Sequence, residues 1–545
     1  MPAIAYRKIA SGMICLAMLL VLVVPAASWA ASSPTNESDY YPFADVTLNT
    51  NLPAQYGKLE VSFNLTTNYD NPFDPEEVDV QAVVVRPDGQ IEAMPGFYRS
   101  DMSPNWAVRY SPRQLGEHAV MLTVSDSSGY AETGFYAFEA VEPDPASRGF
   151  LGISGDRFGD SYGNQLTLLG TNFAWGAPDE IKAAMPEYRD SGMNLMRIWL
   201  SCWWSNYSPE YGAGISTEQN GIEMIYDGVG RYHLGNMERM DGLMDKARES
   251  GIYLMLTMNS FGDFYYDWPY HAYNIANGGP SNWEENNTDF WFNPEAINYQ
   301  KKLLRYMFAR WGYSTSLGML EYWNEADNRV NVNPDVRDAW HEAVDTYWKS
   351  LDFYNHPTTT SFAWQDHAEQ HATQRSWQGL HTLDVVNMHT YYDGADVIEH
   401  WEKSLNALRT FGNRPIFLGE TGKTHSDHSQ DADLLNYAHD GVWAPLFRAG
   451  AAAANSWWIF EHGFHMPEAF RTHYKLLADF IRPLERHLLH MPFVDYGEQE
   501  MDTVAGGFQT ADRMIGWIHD KQSPYNVADP RTVEGLTLTI PNMPE

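Results

Sequence analysis

The chain holds 545 residues, 44% of them hydrophobic, which supplies enough apolar material for large cores and excludes global disorder. Its formal net charge of -35 repels phosphate backbones, so nucleic acid is excluded as the expected partner and a neutral ligand is the simplest reading; acidity that only keeps a secreted protein soluble is the alternative. Aromatic residues reach 14%, a load that implies either a large aromatic core or a surface that stacks on flat ligands.

Residues 1–30 read as a secretory leader. Arg7 and Lys8 form its basic region, Met13–Val24 is an apolar run too short to span a bilayer, and Ser28-Trp29-Ala30 supplies the small residues of a cleavage site. Secretion, extracellular or periplasmic, is expected, with no membrane association once the leader is gone. Cys202 then stays as the single cysteine of the mature chain, so no internal disulfide is expected.

Residues 40–145 read as an all-β sandwich of immunoglobulin type. Val46–Leu48, Leu59–Phe63, Val78–Val85 and Ala119–Val124 are rich in β-formers, and Asn71-Pro72, Pro87-Asp88-Gly89 and Ser127-Ser128-Gly129 supply the turns between them. Glu142-Pro143-Asp144-Pro145 is a short stiff linker. From 148 to 490 strands alternate with helical periods. The strand candidates are Leu166–Asn172, Met193–Trp199, Ile252–Met258, Leu317–Trp323, Thr358–Phe362, Val385–His389, Pro415–Gly419 and Ala453–Ile459. Helices are expected over Asn236–Ser250, Pro294–Trp311, Pro334–Ser350, Asp431–Arg448 and Pro467–His487, with Pro294 and Pro334 at first-turn positions. Strands each followed by a helix over this length predict an α/β fold of the (β/α)8, or TIM barrel, type. A doubly wound open sheet is the rival, but no glycine-rich phosphate loop follows any strand. Residues 491–545 return to β, with strands expected at Val504–Phe508, Met514–Ile518 and Leu536–Ile540. These are too few to close a second sandwich, so either they pack on the barrel or the segment is truncated.

In such a barrel the side chains at the C-terminal ends of the strands meet around one pocket. Strand two ends Arg197-Ile198-Trp199 and strand four Glu321-Tyr322-Trp323-Asn324-Glu325. Strand six ends Asn387-Met388-His389-Thr390-Tyr391, strand seven Phe417-Leu418-Gly419-Glu420, and strand eight carries Trp457-Trp458. Two carboxylates on opposite sides of the ring, Glu325 and Glu420, are what glycoside hydrolysis needs: two acids flanking one bond in different protonation states.

On Asn324-Glu325 and the Pro-Ile-Phe-Leu-Gly-Glu run ending at Glu420, residues 148–485 resemble the retaining glycoside hydrolases of clan A, and are similar to the cellulase-like and mannanase-like members of family 5. Arg197, His389, Tyr391 and a strand-eight tryptophan, Trp458 rather than Trp457, belong to the same likeness. The β region at 40–141 resembles an immunoglobulin-like domain of unknown function that often precedes such barrels. The resemblance implies Glu420 as nucleophile, held ionised by Arg197 and given a hydrogen bond by Tyr391. It implies Glu325 as acid and then base, Asn324 on the sugar 2-OH, His389 orienting Glu325 or a sugar hydroxyl, and Trp458 under the sugar that is cleaved. No cofactor and no metal are expected.

Trp199, Trp203, Trp204, Tyr265, Tyr266, Trp268 and Trp283 fall in the loops after strands two and three. They read either as a sugar-stacking cleft or as ordinary loop packing. His341-Glu342 opens like a zinc-protease helix but lacks the second histidine, and the run from His425 to Asp433 could hold a cation or be a solvated lid. The expected function is hydrolysis of β-glycosidic bonds in a neutral polysaccharide or oligosaccharide, a β-mannan or β-glucan, with cleavage inside the chain favoured by long aromatic loops. A non-catalytic carbohydrate-binding protein and a transglycosylase using the same residues are the rivals.

Overall fold

The structure is a computed structural model that describes residues 40–174, 178–200, 207–210, 228–284, 287–329, 332–363, 377, 379–392, 394–423, 434–457, 466–485, 491–527 and 530–540. The leader, Cys202, Trp203, Trp204, Trp458 and the His425–Asp433 run lie outside these residues.

The N-terminal region forms two antiparallel sheets. One runs in the order Phe43–Leu48, Leu59–Leu65, Trp106–Tyr110, Phe97–Tyr98; the other in the order Ile91–Pro95, Val78–Val85, Gly116–Asp126, Gly129–Glu132, with Tyr136–Ala140 also pairing Gly116–Asp126. Leu59–Leu65 and Val78–Val85 alternate strictly between buried and half-buried residues, as a strand with one face on a core must. Trp106–Tyr110, not picked out in the sequence, is buried throughout. It carries no two-residue alternation because Arg109, on the face turned from the sandwich core, is buried against the neighbouring domain.

That contact is an ion cluster. Arg109 donates to Glu60 at 2.7 Å and through both terminal nitrogens to Asp241 at 2.9 Å. Arg310 donates to the same carboxylate at 2.9 and 3.0 Å, and the Trp311 indole at 2.8 Å. Burial pushes Asp241 up, but the charges of Arg109 and Arg310 outweigh it and hold the carboxyl well below the usual range. Asp241→Ala would leave the buried Arg310 guanidinium without its carboxylate and Arg109 with Glu60 alone. It is expected to cost about 3–5 kcal/mol, seen as a lowered urea midpoint; a midpoint equal to wild type would refute this reading of the junction.

The second region is a closed ring of eight parallel strands. Strands one to four are Leu168–Asn172, Leu195–Trp199, Tyr253–Ser260 and Leu317–Asn324; strands five to eight are Thr358–Thr359, Val386–Tyr391, Ile416–Gly422 and Ala453–Ser456. Neighbours pair in parallel from one to five, from six to seven and from eight back to one. The Ala363–His389 bridge joins the fifth and sixth segments, and the Ala452 N–H reaches the Ile416 carbonyl between seven and eight. This is the eight-stranded α/β barrel expected. Strand five is shorter than Thr358–Phe362 because its later residues bond singly to both neighbours: Ser361 N–H to the Trp323 carbonyl, and His389 N–H to the Phe362 carbonyl.

Helices Pro178–Asp190, Leu234–Ser250, Pro294–Trp311, Pro334–Leu351, Val397–Leu408, Leu434–Ala449 and Glu468–Ile481 flank the ring. Asn293 and Asn333 cap two of them, each followed by its first-turn proline. Inside the barrel the floor is apolar: Leu195, Met255, Met319, Val385, Phe417 and Ala453 form one cluster with Leu151 and Phe158. Two residues further along the strands, the same inward face carries Arg197, Thr257, Glu321, Asn387 and Asn455, all buried. The step from apolar to polar over one strand period builds a polar layer below the C-terminal mouth.

The C-terminal residues form an antiparallel sheet, Phe493–Gln499, Thr503–Gln509 and Met514–Asp520. It lies on helix Leu434–Ala449 so closely that a Cβ at Gly506 would sit 2.2 Å from the Phe447 carbonyl oxygen. Leu536–Ile540 is not a strand, contrary to its alternating pattern. Its Thr539 N–H goes to the Gln499 side chain at 2.9 Å, so the segment meets a side chain instead of an open strand edge. Among the described residues no helix is long and apolar enough to cross a membrane.

Candidate active site

Arg197 is the hub of the polar layer. Fully buried, it spends its guanidinium on four acceptors from three strands: Glu321 at 2.7 Å and Asn324 at 2.7 Å from strand four, Asn172 at 2.9 Å from strand one and Glu420 at 2.5 Å from strand seven. Glu321 is itself fixed by the Thr257 hydroxyl at 2.5 Å and the Asn387 amide at 3.4 Å. Burial opposes the guanidinium charge, but Glu321 and Glu420 more than offset it and keep Arg197 charged. Asn172 and Thr257 were not recognised in the sequence, and Glu321 and Asn387 were noted at strand ends without a role. Their positions on the inward face, one strand period above the apolar floor, are the signal that could have found them.

Glu325 and Glu420 stand above this layer, 8% and 3% exposed. His389 Nδ1 lies 2.9 Å from Glu325 Oε1 and 3.4 Å from Glu420 Oε2, and one oxygen of each glutamate lies within 4.8 Å of one of the other. Tyr391 donates its hydroxyl to Glu420 Oε2 at 2.5 Å. Thus Glu420 receives a hydrogen bond on each oxygen, one of them charged. Glu325 receives Asn328 Nδ2 at 2.6 Å on Oε2, a partner not anticipated from the sequence.

The turn that carries Glu325 is strained. Its φ is +54°, a left-handed conformation that a glutamate adopts at a cost of order 1–3 kcal/mol. Ser361 holds it there: the Glu325 N–H donates to Ser361 Oγ at 3.0 Å, and the Ala326 N–H to the Ser361 carbonyl at 2.9 Å. Asn324, just before the turn, accepts from Arg197 and donates to Ser260 Oγ at 3.2 Å, which fixes its amide orientation.

The two acids differ in electrostatics. Burial pushes Glu325 up to about 7, opposed mainly by the Asn328 amide. Burial pushes Glu420 up as well, opposed by His389, Arg197 and the Tyr391 hydroxyl. With the guanidinium and the phenol both bonded to it, Glu420 is the member of the pair that stays ionised when one proton is shared. Burial depresses His389 to about 4, so the imidazole is neutral near pH 7. Its Nε2 is buried and has no partner among the described residues. Burial, with the Glu420 charge, holds the Tyr391 phenol far above its usual range and keeps it a donor.

The aromatic candidates separate. Trp199 is buried, with the Arg197 guanidinium 5.2 Å from its ring and Trp457, half-buried at the end of strand eight, 6.0 Å away. Trp268 belongs to loop packing, contrary to its place among cleft residues: it is 7% exposed and stacks on Phe264 at 5.5 Å and His271 at 5.1 Å. Tyr266 stays exposed and Tyr265 is half-buried. His341 is structural, with Nδ1 on the Arg337 carbonyl and Nε2 on Thr360 Oγ1. Glu325, His389 and Glu420 have the spacing to offer three ligand atoms to a cation. The Arg197 charge bonded to Glu420 competes with an ion there, so the set is better suited to proton transfer than to metal binding.

A family model described as a domain of unknown function, DUF5060, matches residues 53–125, within the N-terminal sheets. No curated protein matches the chain. Among solved structures, a protein of Bacteroides vulgatus ATCC 8482 provisionally named a glycoside hydrolase superposes with a TM-score of 0.58 at 14% identity, covering 85% of each chain. An endo-1,4-β-mannanase from Rhizomucor miehei gives 0.45 at 18% identity over 61% of this chain and 99% of that one. An exo-β-1,4-mannosidase from Opitutaceae bacterium strain TAV5 gives 0.44 at 15% identity over 62% and 63%. The first of these likenesses speaks to the fold, and at such identities none assigns an activity.

Proposed function

We propose that the chain is a secreted retaining glycoside hydrolase that cleaves β-linked neutral polysaccharide, a β-mannan or β-glucan, by double displacement. The observation that carries this reading is the pair Glu325 and Glu420, within 4.8 Å of each other at the mouth of one barrel and differently hydrogen-bonded. That separation suits direct attack at the anomeric carbon, which requires carboxyl groups about 5–5.5 Å apart, and leaves no room for the water of an inverting reaction.

Glu420 attacks as the carboxylate, aimed by Arg197 and Tyr391, and the glycosidic oxygen leaves with the proton of Glu325. Glu325, now ionised, removes a proton from water, which displaces Glu420 with the starting configuration restored. Asn324, its amide fixed by Arg197 and Ser260, bonds the sugar 2-OH, and His389 holds Glu325 from Nδ1. Trp458, next to Trp457 in the chain, is the expected apolar platform. The N-terminal sheets act as a spacer or an accessory module.

Reducing-sugar release on a panel of β-mannans and β-glucans, with product sizing, tests this. Release is expected on at least one neutral β-glycan. Binding without release on every member would favour a carbohydrate-binding protein, and products longer than the substrate would favour a transglycosylase.

A further inference from the structure

The turn from Glu325 to Arg329 joins the acid to the barrel rim. Strand pairing sets Ser260 beside Asn324, so the short helix Phe261–Tyr265 begins level with Glu325. Arg329, at the far end of the turn and also left-handed at φ +53°, lays its guanidinium 5.1 Å over the Tyr265 ring and 6.0 Å from Tyr266. Tyr266 stands edge-on to Tyr265 at 4.8 Å and to Phe261 at 6.4 Å, and remains 58% exposed while Phe264 and Trp268 on either side are buried. The chain has 71 acids against 36 bases, yet among the described residues Arg329 pairs with no carboxylate. The Arg329 side chain is exposed, with its guanidinium over a tyrosine ring, so among the described residues its N–H donors are available to a ligand.

We infer that Tyr266 and Arg329 form the subsite for the leaving-group sugar, with the apolar C–H face of a hexose on the Tyr266 ring and its hydroxyls on Arg329. The inference rests on the glycosidase reading above, because it takes Glu325 as the acid. The leaving oxygen receives its proton from Glu325, so the sugar attached to that oxygen lies on the Glu325 side of the pocket, away from Glu420 on strand seven. Tyr266 and Arg329 occupy that side, and the Asn328 amide in the same turn ties the acid to it. Binding energy gained there is realised at the reacting bond as orientation of the leaving group over Glu325.

The test compares substrates that fill this subsite with substrates that do not. Mannopentaose and cellopentaose carry leaving sugars; β-mannobiosyl and β-cellobiosyl fluoride release only fluoride. Tyr266→Ala and Arg329→Ala are each expected to lower the ratio of kcat/KM on the pentaose to kcat/KM on the matching fluoride by about tenfold. Arg329→Lys, which keeps charge but loses the planar fork, is expected to fall between. An unchanged ratio in both alanine variants, or an equal loss on both substrates, overturns the subsite and leaves the glycosidase reading standing. A wild-type protein inert toward both series overturns that reading, and this inference with it.

Discussion

Glu420→Ala is expected to lower kcat on a responsive β-glycan by on the order of 10⁴-fold or more, because the covalent step loses its nucleophile. The fold should survive, since the change removes a carboxylate whose partners keep others: Arg197 retains Glu321, Asn172 and Asn324. The cavity left at Glu420 admits a small anion. Added azide should therefore restore turnover on an activated glycoside and give a glycosyl azide of inverted configuration, formed in one displacement. Near wild-type hydrolysis in Glu420→Ala, or rescue with the starting configuration, would remove Glu420 from the nucleophile's role.

Glu325→Ala is expected to behave differently, and the difference depends on the leaving group. A sugar alkoxide needs a proton and fluoride does not, so the loss should be large on oligosaccharides, about 10²–10⁴-fold, and much smaller for formation of the glycosyl-enzyme from a glycosyl fluoride. The pH dependence follows from which form of each acid works. Glu325 acts first as an acid, so the wild-type kcat/KM falls as pH rises through about 7, the value to which burial raises it. Glu420 acts ionised, so kcat/KM falls again on the acid side as Glu420 takes up its proton. In Glu325→Ala the alkaline limb should disappear and the acid limb remain. An alkaline limb retained in that variant would assign it to another group.

The strand ends that hold Glu325 and Glu420 were legible because a barrel places its chemistry by topology: once strands four and seven are recognised, their C-terminal residues must share a pocket. Helices Pro294–Trp311 and Pro334–Leu351 were legible because a proline in the first turn marks the start locally; the structure adds an asparagine cap to each. What depends on closure of the ring was not. Nothing adjacent to Glu321 in the chain says that Arg197, Thr257 and Asn387 converge on it, and Asn328 bonds Glu325 only because Ser361, from the next segment, bends the turn into a left-handed conformation. Trp268 and Trp106–Tyr110 show the converse. Residue type alone cannot tell an aromatic ring that meets a ligand from one that meets another ring, nor a strand facing solvent from one facing a second domain. Leu536–Ile540 has the period of a strand but meets the sheet through the Gln499 side chain, not through a backbone ladder.

The central claim is that Glu420 forms a covalent bond to the sugar. It is tested most directly by incubating the protein with 2-deoxy-2-fluoro-β-mannosyl and β-glucosyl fluorides, which slow release of such an intermediate, then digesting it and sequencing the labelled peptide by mass spectrometry. One fluorosugar per protein on Glu420, with loss of activity in step, is the expected result. Label on any other residue, or steady hydrolysis of the natural substrate beside a protein that accepts no label, would contradict the account.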